Sequence, residues 1–337
     1  MKAAVLKEWK NLEICDIEKP QCGKDQAVLK MIYGGVCGSD ITIYNGLHMT
    51  AKVPVVLCHE MLGIIDELPK EYNGEFRIGQ RVVVNPVTSC EKCTACKNGL
   101  GNACAGLKIN GIHCNGGFAE YVAVPVSNLV KVNPDTDDEV AALSEPFAVG
   151  YHVNQKAGTN ANTSVFVAGA GTIGIVVALV ARQLGARDIV ISEINETRAS
   201  FAKEFGFDVV NPIKQDINTI KKDGFDIVID ASGAKASILT LPNICRIGGK
   251  ILSLGLSGAP VEFILGKISF KEQTVVGSRL YSKEDFAKGV EAMEEISKIY
   301  DLKKIVTDKF ELYDIVAAFE KMKSGENISK ILISCNR

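Results

Sequence analysis

Four cysteines, Cys90, Cys93, Cys96 and Cys104, fall within fifteen residues in the pattern C-x2-C-x2-C-x7-C. With 11 cysteines in 337 residues, independent placement gives that pattern in roughly 4 × 10⁻⁴ of such chains, so chance accounts for it poorly. Four soft thiolates on short loops suit tetrahedral zinc. A closed set of four leaves no position for a substrate, so this site is expected to fold a loop and do no chemistry. A thiolate-bound iron–sulfur cluster is the rival reading, and the compact run matches structural zinc better.

A second set is of mixed type. Cys37 lies in GGVCGSD, His59 and Glu60 in CHEMLG, and Glu145 in LSEPFAVGYH. One thiolate, one imidazole and a carboxylate make three ligands, and the fourth position is left to water or an alcohol, as in catalytic zinc sites. Each residue alone is weak, because a single cysteine is more often a small buried hydrophobe.

Gly169, Gly171 and Gly174 spell G-x-G-x-x-G, with the strand VFVA before it and an apolar helix after it. Glu193 closes the next strand, 19 residues beyond Gly174. In that setting the glycines allow a tight turn and close backbone approach, and the helix N-terminus faces a pyrophosphate. Gly169, Gly171, Thr172, Ile173 and Gly174 are therefore the candidate dinucleotide contacts. Glu193 is suited to the ribose hydroxyls and to repelling a 2′-phosphate, which favours NAD over NADP; Arg198 is near enough in sequence to blur that preference.

These residues need elements to position them. VLKMIYGG, QRVVVNPV and EYVAVPV are short β-rich runs punctuated by Gly and Pro. After about residue 148 strands alternate with helical stretches: SVFVAGAG, TIGIVVALVARQLGA, DIVISE, NETRASFAKEFG and FDIVID. That alternation predicts βαβ units and a parallel sheet covered on both faces. SKEDFAKGVEAMEEISK and LYDIVAAFEKMKSG read as amphipathic helices before a closing strand.

Composition narrows the classes. The hydrophobic share of 47% allows a sizeable core and argues against disorder. Thirty-eight Lys and Arg against 40 Asp and Glu give a net charge of −2, without the basic stripe that nucleic-acid binding needs, so no nucleic-acid partner is expected. That weighs against a zinc-ribbon recognition protein. No apolar run reaches the ~18–20 residues of a membrane span, and the N-terminus lacks a signal-peptide pattern. A cytoplasmic protein with no membrane partner is expected, and the odd cysteine count fits a reduced interior better than a disulfide framework.

The open ligand set, the four-cysteine lobe and the dinucleotide turn, in that order, resemble the zinc-dependent medium-chain alcohol dehydrogenases over essentially the whole chain. GVCGSD, His59-Glu60, the cysteine lobe, GGFAEY, Glu145-Pro146 and GAGTIG carry the resemblance. Glu145 stands where the classical alcohol dehydrogenases have a cysteine ligand. This is closer to the sorbitol dehydrogenase-like branch, near bacterial sugar-acid members of the L-galactonate dehydrogenase and RspB type.

The resemblance implies an α/β protein: a GroES-like β-rich catalytic domain over 1–148, a Rossmann doubly wound parallel sheet over 149–285, and a return to the catalytic domain over 286–337. It implies two zinc ions per chain and NAD. Cys37 and His59 match catalytic zinc ligands, with Glu60 and Glu145 both candidates for the remaining ligand position. Ser39 matches the hydroxyl that relays the substrate proton, and Asp40 the carboxylate that orients the ligand histidine.

The implied reaction is oxidation of a secondary hydroxyl of a polyol, sugar or sugar acid by hydride transfer to NAD, in a homodimer or homotetramer. A simple alcohol or threonine-type dehydrogenase and a non-catalytic dehydrogenase-like sensor are the alternatives. Arg279, in GSR, is a candidate for a substrate carboxylate or, equally, for a salt bridge; Lys283 has less behind it. Two positions depart from the family pattern. Cys58 replaces the usual glycine before the His-Glu pair, and Thr42 replaces a relay histidine, which leaves the proton to exit through Ser39 and the cofactor ribose alone or through His48, a residue that otherwise reads as part of a loop surface.

Overall fold

Along the chain the computed structural model forms ten strands before residue 132: Lys2–Glu8 (β1), Asn11–Asp16 (β2), Gln26–Val36 (β3), Val55–Val56 (β4), Glu60–Glu67 (β5), Arg81–Val84 (β6), Val87–Thr88 (β7), Lys108–Ile109 (β8), Tyr121–Pro125 (β9) and Leu129–Lys131 (β10). Six follow in the middle: Ser164–Ala168 (β11), Asp188–Ser192 (β12), Asp208–Val210 (β13), Phe225–Asp230 (β14), Cys245–Ser253 (β15) and Thr274–Gly277 (β16). Val306–Glu311 (β17) and Lys330–Ser334 (β18) close the order. The structure describes residues 1–255, 260–325 and 329–335.

The chain divides into two compact units. One is Met1–Glu145 with the chain from Ser282 onward, and the other is Pro146–Tyr281. The first is β-rich. Its main sheet runs β10-β6-β5-β3-β18-β17, with β9 also on β3, beside the small sheets β2-β1-β4 and β7-β8. The eleven residues of β3 organise it. One edge pairs with β5; the other pairs first with β9 through 26–30 and then with β18 through 33–36. Alternating burial along β9 and β17 is the mark of strands with one face packed and one wet.

The second unit is a six-stranded, wholly parallel sheet in the order β13-β12-β11-β14-β15-β16. Numbered within the unit this is 3-2-1-4-5-6, the doubly wound order whose switch point lies between β11 and β14. All five residues of β11 are buried, as a strand covered on both faces requires. Phe166, Val228, Leu241 and Ile251 belong to one core cluster of this unit. The helices Thr172–Gln183 and Glu196–Glu204 connect β11 to β12 and β12 to β13. The α/β class expected from the sequence is what the chain adopts. No helix among the described residues is long and apolar enough to cross a membrane.

Candidate functional site

Cys37 follows β3 directly and caps the helix Gly38–Tyr44. The sequence GSDITIY has little helical propensity, and the cap helps hold it: Cys37 N donates to Asp40 Oδ2 at 2.9 Å. Asp40 is fully buried, and its other oxygen, Oδ1, faces His59 Nδ1 at 3.6 Å. Neither of these two atoms has a hydrogen-bond partner, so the pair stands a few tenths of an ångström short of a bond. On the other side of the ring, Ser39 Oγ lies 3.4 Å from His59 Nε2. Burial alone would lower the pKa of His59, but the Asp40 carboxylate outweighs it and the net direction is upward.

Glu60 opens β5 opposite Gly35 of β3. A thiol sulfur of Cys37, a ring nitrogen of His59 and a carboxylate oxygen of Glu60 all lie within 4.8 Å of one another. Both Glu60 oxygens accept from Lys330 Nζ, at 2.6 and 2.8 Å. Burial alone would lower the pKa of Lys330, and the carboxylate of Glu60 overcomes it, so the shift is upward. Glu145 is buried in the first turn of the helix Ser144–Ala157 and acts electrostatically on Lys330. Its carboxylate is not among the three ligand atoms brought together.

The donor set fits zinc: one soft thiolate, one imidazole whose Nδ1 side is aimed at a buried carboxylate, and one carboxylate, with a position left open. Cys37 and His59, with Glu60 beside them, are the residues that could hold the ion. Thr42, which stands in place of the relay histidine, donates its Oγ1 hydroxyl to Gly38 O within its own helix. His48 Nδ1 accepts the amides of Thr50 and Ala51, which makes that ring a brace for its own loop.

The other cysteines form a tight knot. The sulfurs of Cys90, Cys93, Cys96 and Cys104 lie within 4.8 Å of one another, with Cys93 3.5 Å from Cys96 and 3.8 Å from Cys104. A tetrahedron with metal–sulfur bonds of ~2.3 Å has edges of about 3.8 Å, so the spacing fits a zinc ion. Backbone amides of Cys90 and Gly106 point at Cys104 Sγ, at 3.2 and 3.3 Å. Amides of Cys96 and Ala105 lower the Cys93 thiol to about 6, while burial and the neighbouring thiols push Cys96 up to about 11. Four thiols crowded together thus do not ionise alike, and a cation is the natural way to hold all four as thiolates.

In the second unit, Gly169 directly follows β11 at φ +101°, a conformation suited to glycine. A Cβ on Gly174 would overlap the Gly169 carbonyl, so close packing of helix on turn requires glycine there. At Gly171 a Cβ would meet no atom of the protein within 4 Å, so the space in front of it is open to a ligand. Thr172 and Ile173 begin the helix that follows.

Glu193 is buried, and three amides use its carboxylate: Ala170 N at 2.8 Å on Oε2, with Ile194 N at 2.8 Å and Asn195 N at 2.9 Å on Oε1. Of about four acceptor positions on a carboxylate, one is left for a ligand. Arg198 N caps onto Asn195 Oδ1, and its Nε is buried without a partner. This turn fits a dinucleotide. Arg279 is exposed just after β16 in the same unit. Sequence reasoning missed Lys330: a lysine at the start of KILIS reads as solvated, and nothing local marks it as buried.

Comparison with known proteins identifies the family. The alcohol dehydrogenase GroES-like domain family matches residues 23–134, and the zinc-binding dehydrogenase family matches residues 172–295. An L-threonine 3-dehydrogenase of Shewanella loihica is 31% identical over 344 aligned positions, covering 99% of each chain. Among solved structures, the short chain alcohol dehydrogenase RspB of E. coli CFT073, complexed with NADH, is similar at TM-score 0.92 and 27% identity over 99% of each chain. L-idonate 5-dehydrogenase of Escherichia coli is similar at TM-score 0.87 and 26% identity, over 99% of this chain and 97% of that one.

Proposed function

Because the chain belongs to the zinc-dependent medium-chain alcohol dehydrogenase family, we propose that it oxidises a secondary hydroxyl of a polyol, sugar or sugar acid with NAD as hydride acceptor. The observation that carries this reading is the convergence of Cys37, His59 and Glu60 beside Ser39 and Asp40. When bound, zinc lowers the pKa of a hydroxyl toward neutrality and the nicotinamide ring accepts hydride. The chain's own residues do the rest. Cys37 and His59 hold the metal, and Asp40 orients the imidazole from its Nδ1 side. Ser39 Oγ takes the hydroxyl proton and passes it outward.

Cys90, Cys93, Cys96 and Cys104 hold a second, structural zinc. The turn from Gly169 to Gly174 receives the pyrophosphate, and the remaining acceptor position of Glu193 takes a ribose hydroxyl, which supports NAD over NADP. Glu145 supplies a carboxylate near Lys330, and Arg279 is the candidate for a substrate carboxylate. Subunits pair through the open edge of β16, giving a dimer or a tetramer, in the cytoplasm.

The polyol and sugar-acid class draws support from the structural likeness to L-idonate 5-dehydrogenase. A second reading, oxidation of L-threonine at its hydroxyl, is favoured by the 31% identical relative. The deciding experiment is a panel of polyols, aldonates, L-threonine and simple alcohols with NAD and with NADP, read as absorbance of the reduced nicotinamide. Turnover of polyols or aldonates well above L-threonine supports the first reading. Turnover confined to L-threonine supports the second, and none with any hydroxyl compound refutes both.

A further inference from the structure

Glu60 and Lys330 are 270 positions apart in the chain and meet inside one sheet. They sit on β5 and β18, the two strands that flank the C-terminal part of β3. Between them lies Gly35, the register partner of Glu60, where a Cβ would overlap Glu60 Oε2. The missing side chain is what lets the carboxylate lie across β3 and reach the far strand. There Lys330 Nζ donates to both oxygens, at 2.6 and 2.8 Å, and to Val36 O at 3.3 Å. Lys330 is 3% exposed and Glu60 1%, so water does not screen the pair.

The same carboxylate has an oxygen within 4.8 Å of the Cys37 sulfur and a His59 ring nitrogen. A buried ammonium and a metal dication therefore draw on one set of lone pairs. We propose that Lys330 is a positioning residue that sets how strongly Glu60 binds the metal, keeping the carboxylate a weak, displaceable partner of Cys37 and His59. This rests on the zinc reading above. Most partners that stand behind a metal ligand strengthen it, and losing them lowers affinity; a partner that competes for the ligand gives the opposite sign.

The test uses full-length protein loaded with cobalt or zinc. Its readouts are chelator-driven metal loss and the visible absorption of cobalt. Lys330→Met is expected to slow loss of the open-site metal about tenfold, the lower end of effects seen for residues behind metal ligands, and to shift the cobalt bands. Lys330→Arg is expected to behave as wild type, and Lys330→Met is expected to have no effect in a Glu60→Gln background. Lys330→Gln, which keeps a donor and removes only the charge, serves if the methionine variant does not fold. Wild-type metal loss and spectrum in the charge-removing variants overturn the proposal, as does an effect that persists with Glu60→Gln. Cys37→Ala separates the two levels: if it retains the full metal count, the open zinc site itself is wrong.

Discussion

Cys58 sits one residue before His59 with φ +87°, in the half of conformational space that favours glycine. A side chain held there costs roughly 1–2 kcal/mol. The thiol has a place because Gly34 and Gly117 lack side chains beside it, and it donates to the Glu60 carbonyl at 3.1 Å. The structure thus explains the departure from the family's glycine as a thiol bridging over the His59 backbone. Cys58→Ala keeps the strain and loses the bridge, whereas Cys58→Gly loses the bridge and relieves the strain. The alanine variant is therefore expected to be less stable than the glycine variant by about 1 kcal/mol in urea unfolding. Cys37→Ala is expected to abolish turnover and remove one metal per chain, with an unchanged far-ultraviolet circular dichroism spectrum.

The parallel sheet of the second unit is held in register partly by Asp226 on β14. Its Oδ2 accepts from Ser164 N and Oγ of β11, at 2.8 and 2.6 Å, and its Oδ1 from Arg246 Nε of β15 at 2.6 Å. Partial burial alone would raise this carboxyl, but those donors outweigh it and hold the pKa at about 2, against an ordinary 3.8. A depressed folded-state value stabilises the protein above pH ~4, and the gain is lost as pH falls through the folded value. Asp226→Asn is expected to lose about 2 kcal/mol near pH 7, with the gap to wild type closing between pH 4 and pH 2 in urea titrations. At this scale the sequence was most readable. VFVA, DIVIS and FDIVID are strands because continuous apolar runs suit a sheet covered twice, and Gly206 and Gly325 stop helices at positive φ. The helix Gly38–Tyr44 was not readable, since its Ile and Thr residues favour strands and the Asp40 cap decides the matter. Nor was the Glu60–Lys330 pair, because it depends on strand order, which no local pattern encodes.

For the molecule as a whole, β16 is an edge strand of the parallel sheet, with Thr274, Val275 and Gly277 exposed. An unprotected edge of this kind invites pairing with a second copy. Val275→Lys is expected to shift the protein toward monomer in sedimentation velocity, with the four-cysteine metal retained; an unchanged sedimentation coefficient removes β16 as the interface. The first unit is also assembled from both ends of the numbering, whereas the second is one uninterrupted stretch. During synthesis, Pro146–Tyr281 can therefore mature on its own while β3 still waits for β18 and Glu60 still lacks its cationic neighbour. A nascent chain stalled before residue 330 leaves that carboxylate and one edge of β3 open to water, so its unfinished half presents an unpaired strand that the finished protein conceals.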